Sequence, residues 1–159
     1  MKKAYFAGGC FWGVEYYMKK ITGVISVTSG FMGGHVENPT YRQVCDTNTG
    51  HAETVEIVYD SAQVSFGELA KRFFEIHDPT QVDRQGPDIG PQYRSAIFVA
   101  DENEREIVDE LILALETNGY DVVTEIENVG VFYPAEDYHQ NYYAKTGKHP
   151  YCHAPVERF

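Results

Sequence analysis

The sequence predicts an α/β (α+β) chain folded as a two-layer sandwich. Three observations predict it. Stretches of strand-like alternation take turns with stretches of helical spacing, the connections between them are long, and no internal repeat, low-complexity segment or linker-like change in composition divides residues 1–159. The chain reads as a single domain, and one of this length buries roughly 70% of the surface its unfolded form exposes, enough for a core without staples.

Each element has its own signal. "AYFAG" reads as a short strand, after which Phe11, Val14, Met18 and Ile21 follow at intervals of three, four and three residues, the pattern of one helix face. Cys10 then falls at a strand-to-helix turn. "ISVTSGF" and "ETVEIVYD" read as strands, the second alternating Val55, Ile57 and Tyr59 against Thr54, Glu56 and Val58. Ser65 and Glu68 make a capping-box pattern ahead of Phe66, Leu69, Ala70, Phe73 and His77, so a helix is expected to run to the break at "HDPT". "SAIFVA" is a further strand, and Ile107, Val108, Leu111, Ile112 and Leu115 mark a helix stopped by Asn118 and Gly119. "VVTEIE" reads as a strand and "AEDYHQNYYAK" as a short helix. The expected fold is a ferredoxin-like core with long functional loops and an irregular C-terminal tail. Residues 30–51 and 78–94 are the long loops, irregular and rich in Gly, Asn, Asp, Gln and Tyr.

Charge and cysteine usage narrow the partners. Lys and Arg total 13 against 24 Asp and Glu, a net charge of -11, so the overall field repels nucleic acid. "MKKAYFAGG" has no apolar run long enough for a signal-peptide core, and no stretch approaches about 18 uninterrupted apolar residues, which argues against export and membrane spanning. Cys10, Cys45 and Cys152 are an odd, scattered set, unlike a secreted disulfide framework. A cytoplasmic monomer is expected.

A cysteine is most often a small buried hydrophobe. The setting of Cys10 points elsewhere. A thiol at a helix N-terminus faces unpaired N–H groups and the positive end of the helix dipole, which favour thiolate, while Gly8 and Gly9 let the backbone turn sharply and leave room for a substrate. Phe11 and Trp12 are core candidates, but beside a reactive thiol their faces also suit a methyl group and its neighbouring sulfur.

At "GCFWGVE" the sequence resembles the peptide methionine sulfoxide reductases of the A type, which reduce methionine S-sulfoxide to methionine. The likeness continues through "SGFMGG", "YRQVC", "TGHAETVEIVYD", "HDPT", "QGPDIGPQYRSAIF" and "FYPAEDYHQNYY", nearly the whole chain. Thiolate attack on a sulfoxide sulfur requires an acid or strong hydrogen-bond donors at its oxygen. The resemblance assigns that work to Glu53, helped by Tyr41 and Tyr93, with Asp88 at the substrate or its backbone amide. Without it, Glu53 is one of 24 acids and each tyrosine an ordinary core candidate. To act as an acid near neutral pH, Glu53 must have its pKa raised, and desolvation among aromatics would raise it.

The resemblance also completes the cycle. Loss of methionine leaves a sulfenic acid on Cys10, Cys152 in "HPYCHAPVERF" matches the family's resolving cysteine, and thioredoxin or a similar dithiol reduces the disulfide. A mobile, Pro-flanked tail would bring Cys152 to the site. Cys45 reads as structural, although it could in principle take part. Neither cofactor nor metal is implied.

Three other readings compete. A zinc module would draw on His149, Cys152 and His153, but the chain has no CxxC pair. A Cys-His hydrolase would need Cys10 activated by His51 or His139, and a thiol peroxidase would need neither a protonated carboxylate nor a methyl cage.

Overall fold

The computed structural model describes residues 1–148, 150–151 and 153–159. Its elements run β1 (Lys2–Gly8), α1 (Phe11–Met18), β2 (Val24–Met32), α2 (Tyr41–Asp46), β3 (Ala52–Tyr59), α3 (Phe66–Ile76), β4 (Arg84–Gln85), β5 (Asp88–Ile89), β6 (Ser95–Val99), α4 (Glu102–Thr117), β7 (Glu125–Asn128), β8 (Tyr133–Pro134) and α5 (Tyr142–Thr146). One sheet has the order β7-β6-β1-β3-β2-β8. β1 pairs antiparallel with β3 and β6, β2 pairs antiparallel with β3, and β7 joins parallel to β6. The four central strands, with α1 and α3 as crossovers, make the expected ferredoxin-like core. Among the described residues no helix is long and apolar enough to cross a membrane.

Strand alternation divides the apolar residues between two faces. Phe6, Val55, Ile57 and Ile97 join Phe11, Val14, Met18, Leu69, Phe73 and Phe74 in the main core. Their neighbours Ala7, Ala52, Ala96 and Phe98 form a smaller cluster with Met32 on the other face. Phe6 and Phe73 stack with ring centroids 5.0 Å apart and no exposed surface, so truncating Phe73 to Ala would cost about 3–5 kcal/mol. The helix after Ser65 has the expected reciprocal cap: Glu68 N donates to Ser65 Oγ, and Ser65 N donates to Glu68 Oε1.

Several boundaries differ from expectation. Ile21 lies beyond α1, which ends at Met18. The stretch 30–51 is not wholly irregular, because β2 continues to Met32 and Tyr41–Asp46 is helical behind a Thr40/Gln43 capping box. Within 78–94, β4 and β5 form a hairpin and Pro91–Tyr93 a 3-10 turn. The strand expected at "VVTEIE" begins only at Glu125, since Val123 N donates to Pro79 O at 2.8 Å and Thr124 bonds the Ser95 hydroxyl. "AEDYHQNYYAK" is not one helix: Asn141 takes a left-handed φ of 54° and separates the 3-10 turn Asp137–His139 from α5.

The tail is irregular but fixed. Val156 N donates to Glu75 O at 2.8 Å. Arg158 donates to the carbonyls of Phe74 and His77 at the end of α3, where a cation also suits the helix dipole. Asn118 Nδ2 donates back to Arg158 O, and Phe159 packs on Phe74.

Candidate active site

Cys10 is the N-cap of α1, 4% exposed, and its carbonyl accepts from Gly13 N and Val14 N as the helix starts. Gly9 before it has φ +89°, a turn that glycine adopts without strain. The space at these glycines is taken by protein rather than left for substrate. A Cβ on Gly8 would meet the Phe73 ring at 2.7 Å, and one on Gly9 would meet Gln85 at 2.5 Å. Gln85 in turn clamps the β4–β5 hairpin to Asp78, accepting from its amide at 2.7 Å and donating to its carbonyl at 2.9 Å.

β3 brings Glu53 to the same helix start. Phe11 N, the first amide after Cys10, donates to Glu53 Oε1 at 3.2 Å. Glu53 is 1% exposed, and its Oε2 is buried with no hydrogen-bond partner among the described residues. Burial pushes the carboxyl from an ordinary 4.5 up to about 8, with the Phe11 bond opposing the rise and the Asp88 charge adding to it. A shift of this direction favours the protonated carboxyl at neutral pH.

Two phenols face this carboxyl. Tyr41, the first residue of α2, and Tyr93, at the end of a 3-10 turn, both have their phenol pKa raised, first by burial and then by the neighbouring Glu53. Tyr93 also has Asp88 and Cys10 among its electrostatic neighbours. Cys45, one helical turn after Tyr41, is half-buried beside both phenols, and burial pushes its thiol up. The structural reading of Cys45 therefore needs this addition: it packs at the edge of the site.

The aromatic residues divide into a floor and a wall. Phe11 has no exposed surface and packs on Phe31 at 5.7 Å and Tyr41 at 5.9 Å. Trp12 is partly exposed and stacks on Tyr142 at 3.9 Å, with Tyr41 and His139 further along the same stack. His139 lies 4.3 Å from the Tyr41 ring, and burial lowers its pKa. Sequence reasoning missed His139 and Tyr142 as parts of this wall, although both sit in the quoted "AEDYHQNYY".

Asp88, on β5, accepts from Tyr151 OH at 2.9 and 3.0 Å on its two oxygens. His153 is buried, its Nε2 hydrogen-bonded to Gly8 O at 2.6 Å. Its ring fills the space beside Gly13, where a Cβ would come within 2.1 Å of Nδ1. Cys152, between these two residues in sequence, lies outside the described residues, as does His149. His51 has both ring nitrogens on backbone, Nδ1 accepting from Gly34 N and Nε2 bonded to Val36 O, so it is not poised to activate Cys10.

Comparison with known proteins gives the chain's family and fold. A family model described as peptide methionine sulfoxide reductase matches residues 2–159. A curated peptide methionine sulfoxide reductase MsrA of Nautilia profundicola is 52% identical over 152 residues, covering 96% of this chain and 88% of the relative. Reduced Mxr1 of Saccharomyces cerevisiae superposes with a TM-score of 0.92 at 32% identity, covering 98% of this chain and 92% of that one. Mxr1 in complex with Trx2 has the same fold at a TM-score of 0.66 and 22% identity, with coverage of 98% and 90%.

Proposed function

Because the chain belongs to the peptide methionine sulfoxide reductase family and is a reductase of the A type, we propose that Cys10 and Glu53 together carry out its chemistry on methionine S-sulfoxide, free or in proteins. The observation that carries this is Glu53 Oε2, a buried oxygen without a partner among the described residues, beside the helix that begins after Cys10, on a carboxyl whose pKa burial raises to about 8.

The Cys10 sulfur attacks the sulfoxide sulfur while Glu53 gives its proton to the sulfoxide oxygen, and the Tyr41 and Tyr93 phenols donate hydrogen bonds there. The attack forms a bond between the two sulfurs, and the Cys10 thiol proton goes to Glu53, replacing the one given up. The hydroxyl then passes from the methionine sulfur to the Cys10 sulfur as the sulfur–sulfur and old sulfur–oxygen bonds break, so methionine leaves reduced by two electrons and Cys10, oxidised by two, is left as a sulfenic acid. Trp12, over the floor made by Phe11, holds the methyl group, and Asp88 accepts from the substrate backbone.

Cys152 then condenses with the sulfenic acid, releasing water and forming a Cys10-Cys152 disulfide. Thioredoxin exchanges its dithiol for that disulfide. The complex of Mxr1 with Trx2 supports this partner. The same reading has the enzyme repairing oxidised proteins as a cytoplasmic monomer, where a dithiol donor stays reduced; the odd, scattered cysteines support it.

The test is a coupled assay with NADPH, thioredoxin reductase and thioredoxin, supplied with each sulfoxide epimer in turn. Turnover of the S epimer with essentially none of the R epimer is expected. Equal rates would contradict a site that fixes methyl, oxygen and lone pair in three separate places.

A further inference from the structure

Further along α1 from Cys10, a largely apolar cleft of about 170 Å³ opens between α1 and α5, lined by Trp12, Tyr16 and Tyr143 and edged by Lys19 and Lys20. The Tyr16 and Tyr143 rings meet edge to face at 5.9 Å, and Lys20 Nζ stands 3.9 Å from the centre of the Tyr16 ring. Neither the fold nor the chemistry at Cys10 makes use of this space.

Three features define an occupant. The cleft is smaller than the roughly 300–1,000 Å³ of pockets that enclose a whole small ligand, so it suits one side chain of a longer chain. Its charge runs against that of the protein. The chain carries -11 overall, yet Lys19 and Lys20 are exposed here, and Lys19 and Lys145 are both electrostatic neighbours of Glu15. Glu15 is the one carboxyl among the described residues lining the cleft, and both its oxygens are already bonded, to Ser29 Oγ and Asn141 N. An acidic group arriving from outside therefore meets cations and no free carboxylate. Finally, two lining residues carry buried polar atoms without a partner among the described residues, the donor Trp12 Nε1 and the acceptor Asn141 Oδ1. A stretch of peptide backbone supplies both complements.

We propose that this cleft is a subsite for oxidised polypeptide, seating an apolar side chain of the substrate and, through Lys19 and Lys20, an acidic residue beside it. The cleft and the methyl site are neighbours on the reading of Trp12 as the methyl wall, on which this subsite rests. Trp12 to Tyr16 is one helical turn, about 6 Å, and an extended chain covers about 3.3 Å per residue. The apolar residue thus lies about two positions from the sulfoxide and the acid about one position further. Protein-bound substrate gains a contact that free methionine sulfoxide lacks.

The experiment measures single-turnover reduction by rapid quench on capped peptides holding methionine S-sulfoxide in a glycine-serine background. Phe-Glu is placed two and three residues away on the N-terminal or the C-terminal side, with Ser-Ser at the same places as reference. On one side only, the Phe-Glu peptide should reach its half-maximal rate at about tenfold lower concentration, with the maximal rate within about twofold, as uniform binding requires. Changing its Glu to Gln should lose about threefold of that gain, and so should raising the salt to about 0.5 M. Ala144→Phe, at an exposed position of α5 lining the cleft, should abolish the preference for Phe. Lys19→Gln with Lys20→Gln should abolish the preference for Glu alone. N-acetylmethionine S-sulfoxide amide, too short to reach the cleft, should react at wild-type rates in all of these variants. Equal half-saturation for Phe-Glu and Ser-Ser would overturn the proposal, as would an equal gain on both sides, a Phe preference that survives Ala144→Phe, or a Glu preference that survives the loss of both lysines. Trp12→Ala separates the two levels. If it weakens half-saturation by the short amide while the wild type shows no peptide preference, the subsite alone fails; if it handles the short amide as the wild type does, the underlying reading of Trp12 fails.

Discussion

Two buried carboxyl groups flank the same short helix, and they are used in opposite ways. Glu15, on α1 and 3% exposed, commits both oxygens: Oε2 accepts from Ser29 Oγ at 2.8 Å and Oε1 from Asn141 N at 2.6 Å. Gln140 completes that corner by bonding Ser29 through both its amide atoms, so the chain leading into α5 is pinned to β2 and α1. Glu53, on β3 and 1% exposed, accepts one bond from Phe11 N and leaves Oε2 without a partner among the described residues. Burial raises the pKa of both. Desolvation alone therefore does not separate these two acids; what differs is that Glu15 has both oxygens satisfied and Glu53 does not.

The contrast breaks most visibly at Glu53. Glu53→Gln should slow single-turnover methionine release by about 10² to 10⁴, the range for loss of a positioned general acid. Its thermal stability should not suffer, because the amide keeps an acceptor for Phe11 N. The folded protein retains the Glu53 proton up to about pH 8, whereas the unfolded chain releases it near 4.5. Wild-type stability thus includes a term that is full below about pH 4.5 and lost as pH rises through about 8, and Glu53→Gln lacks that decline. Melting curves of the pair between pH 5 and 9 check the sign: the difference should shift toward the variant as pH rises.

At Glu15 the expected loss is of stability. Glu15→Ala leaves the Ser29 hydroxyl and the Asn141 amide without their acceptor, at a cost of about 1–3 kcal/mol for each group that stays dry. Denaturant unfolding should show a lower midpoint at unchanged slope, while methionine release per folded molecule stays within about tenfold of wild type. A larger kinetic than thermodynamic effect would erase the distinction between the two acids.

The smallest effects are expected at the phenols. Tyr41 and Tyr93 share the oxygen-facing role in the proposed mechanism and both neighbour Glu53, so Tyr41→Phe or Tyr93→Phe should each slow methionine release by less than Glu53→Gln does. The double variant should lose more than the product of the single losses. Additive losses would mean that the phenols do not substitute for each other.

How much of this the sequence revealed depends on the range of the interaction. The cap of α3 is written in Ser65 and Glu68, three residues apart, and the strand alternation of β3 is visible in Val55, Ile57 and Tyr59. Thr40 and Gln43 carry the same capping spacing, but the polar, glycine-rich run around them hid α2. The fixed tail was not legible, because Arg158 finds its carbonyls at the end of α3 more than 80 residues away and His153 fits a gap that Gly13 leaves near the other end of the chain. Periodicity has no access to such contacts. At the site, Cys10 could be singled out by its local turn, whereas Glu53, Tyr41, Tyr93 and Asp88 came only from the resemblance. Their neighbourhood is made by β3, α2 and the loop before β6, which meet only in the fold. Glu15 shows what local reading misses, since nothing in "FWGVEYY" says that this glutamate turns inward onto Ser29 and Asn141.

The central claim is that Glu53 keeps its proton at neutral pH and delivers it to the sulfoxide oxygen. Infrared difference spectra across pH 5 to 10, recorded beside the pH profile of methionine release, test it most directly. The protonated-carboxyl band present in the wild type and absent from Glu53→Gln should disappear with a midpoint near pH 8, and the release rate should fall along the same curve. A Glu53 already ionised at pH 6, or a release rate unchanged while the band titrates away, would contradict the account.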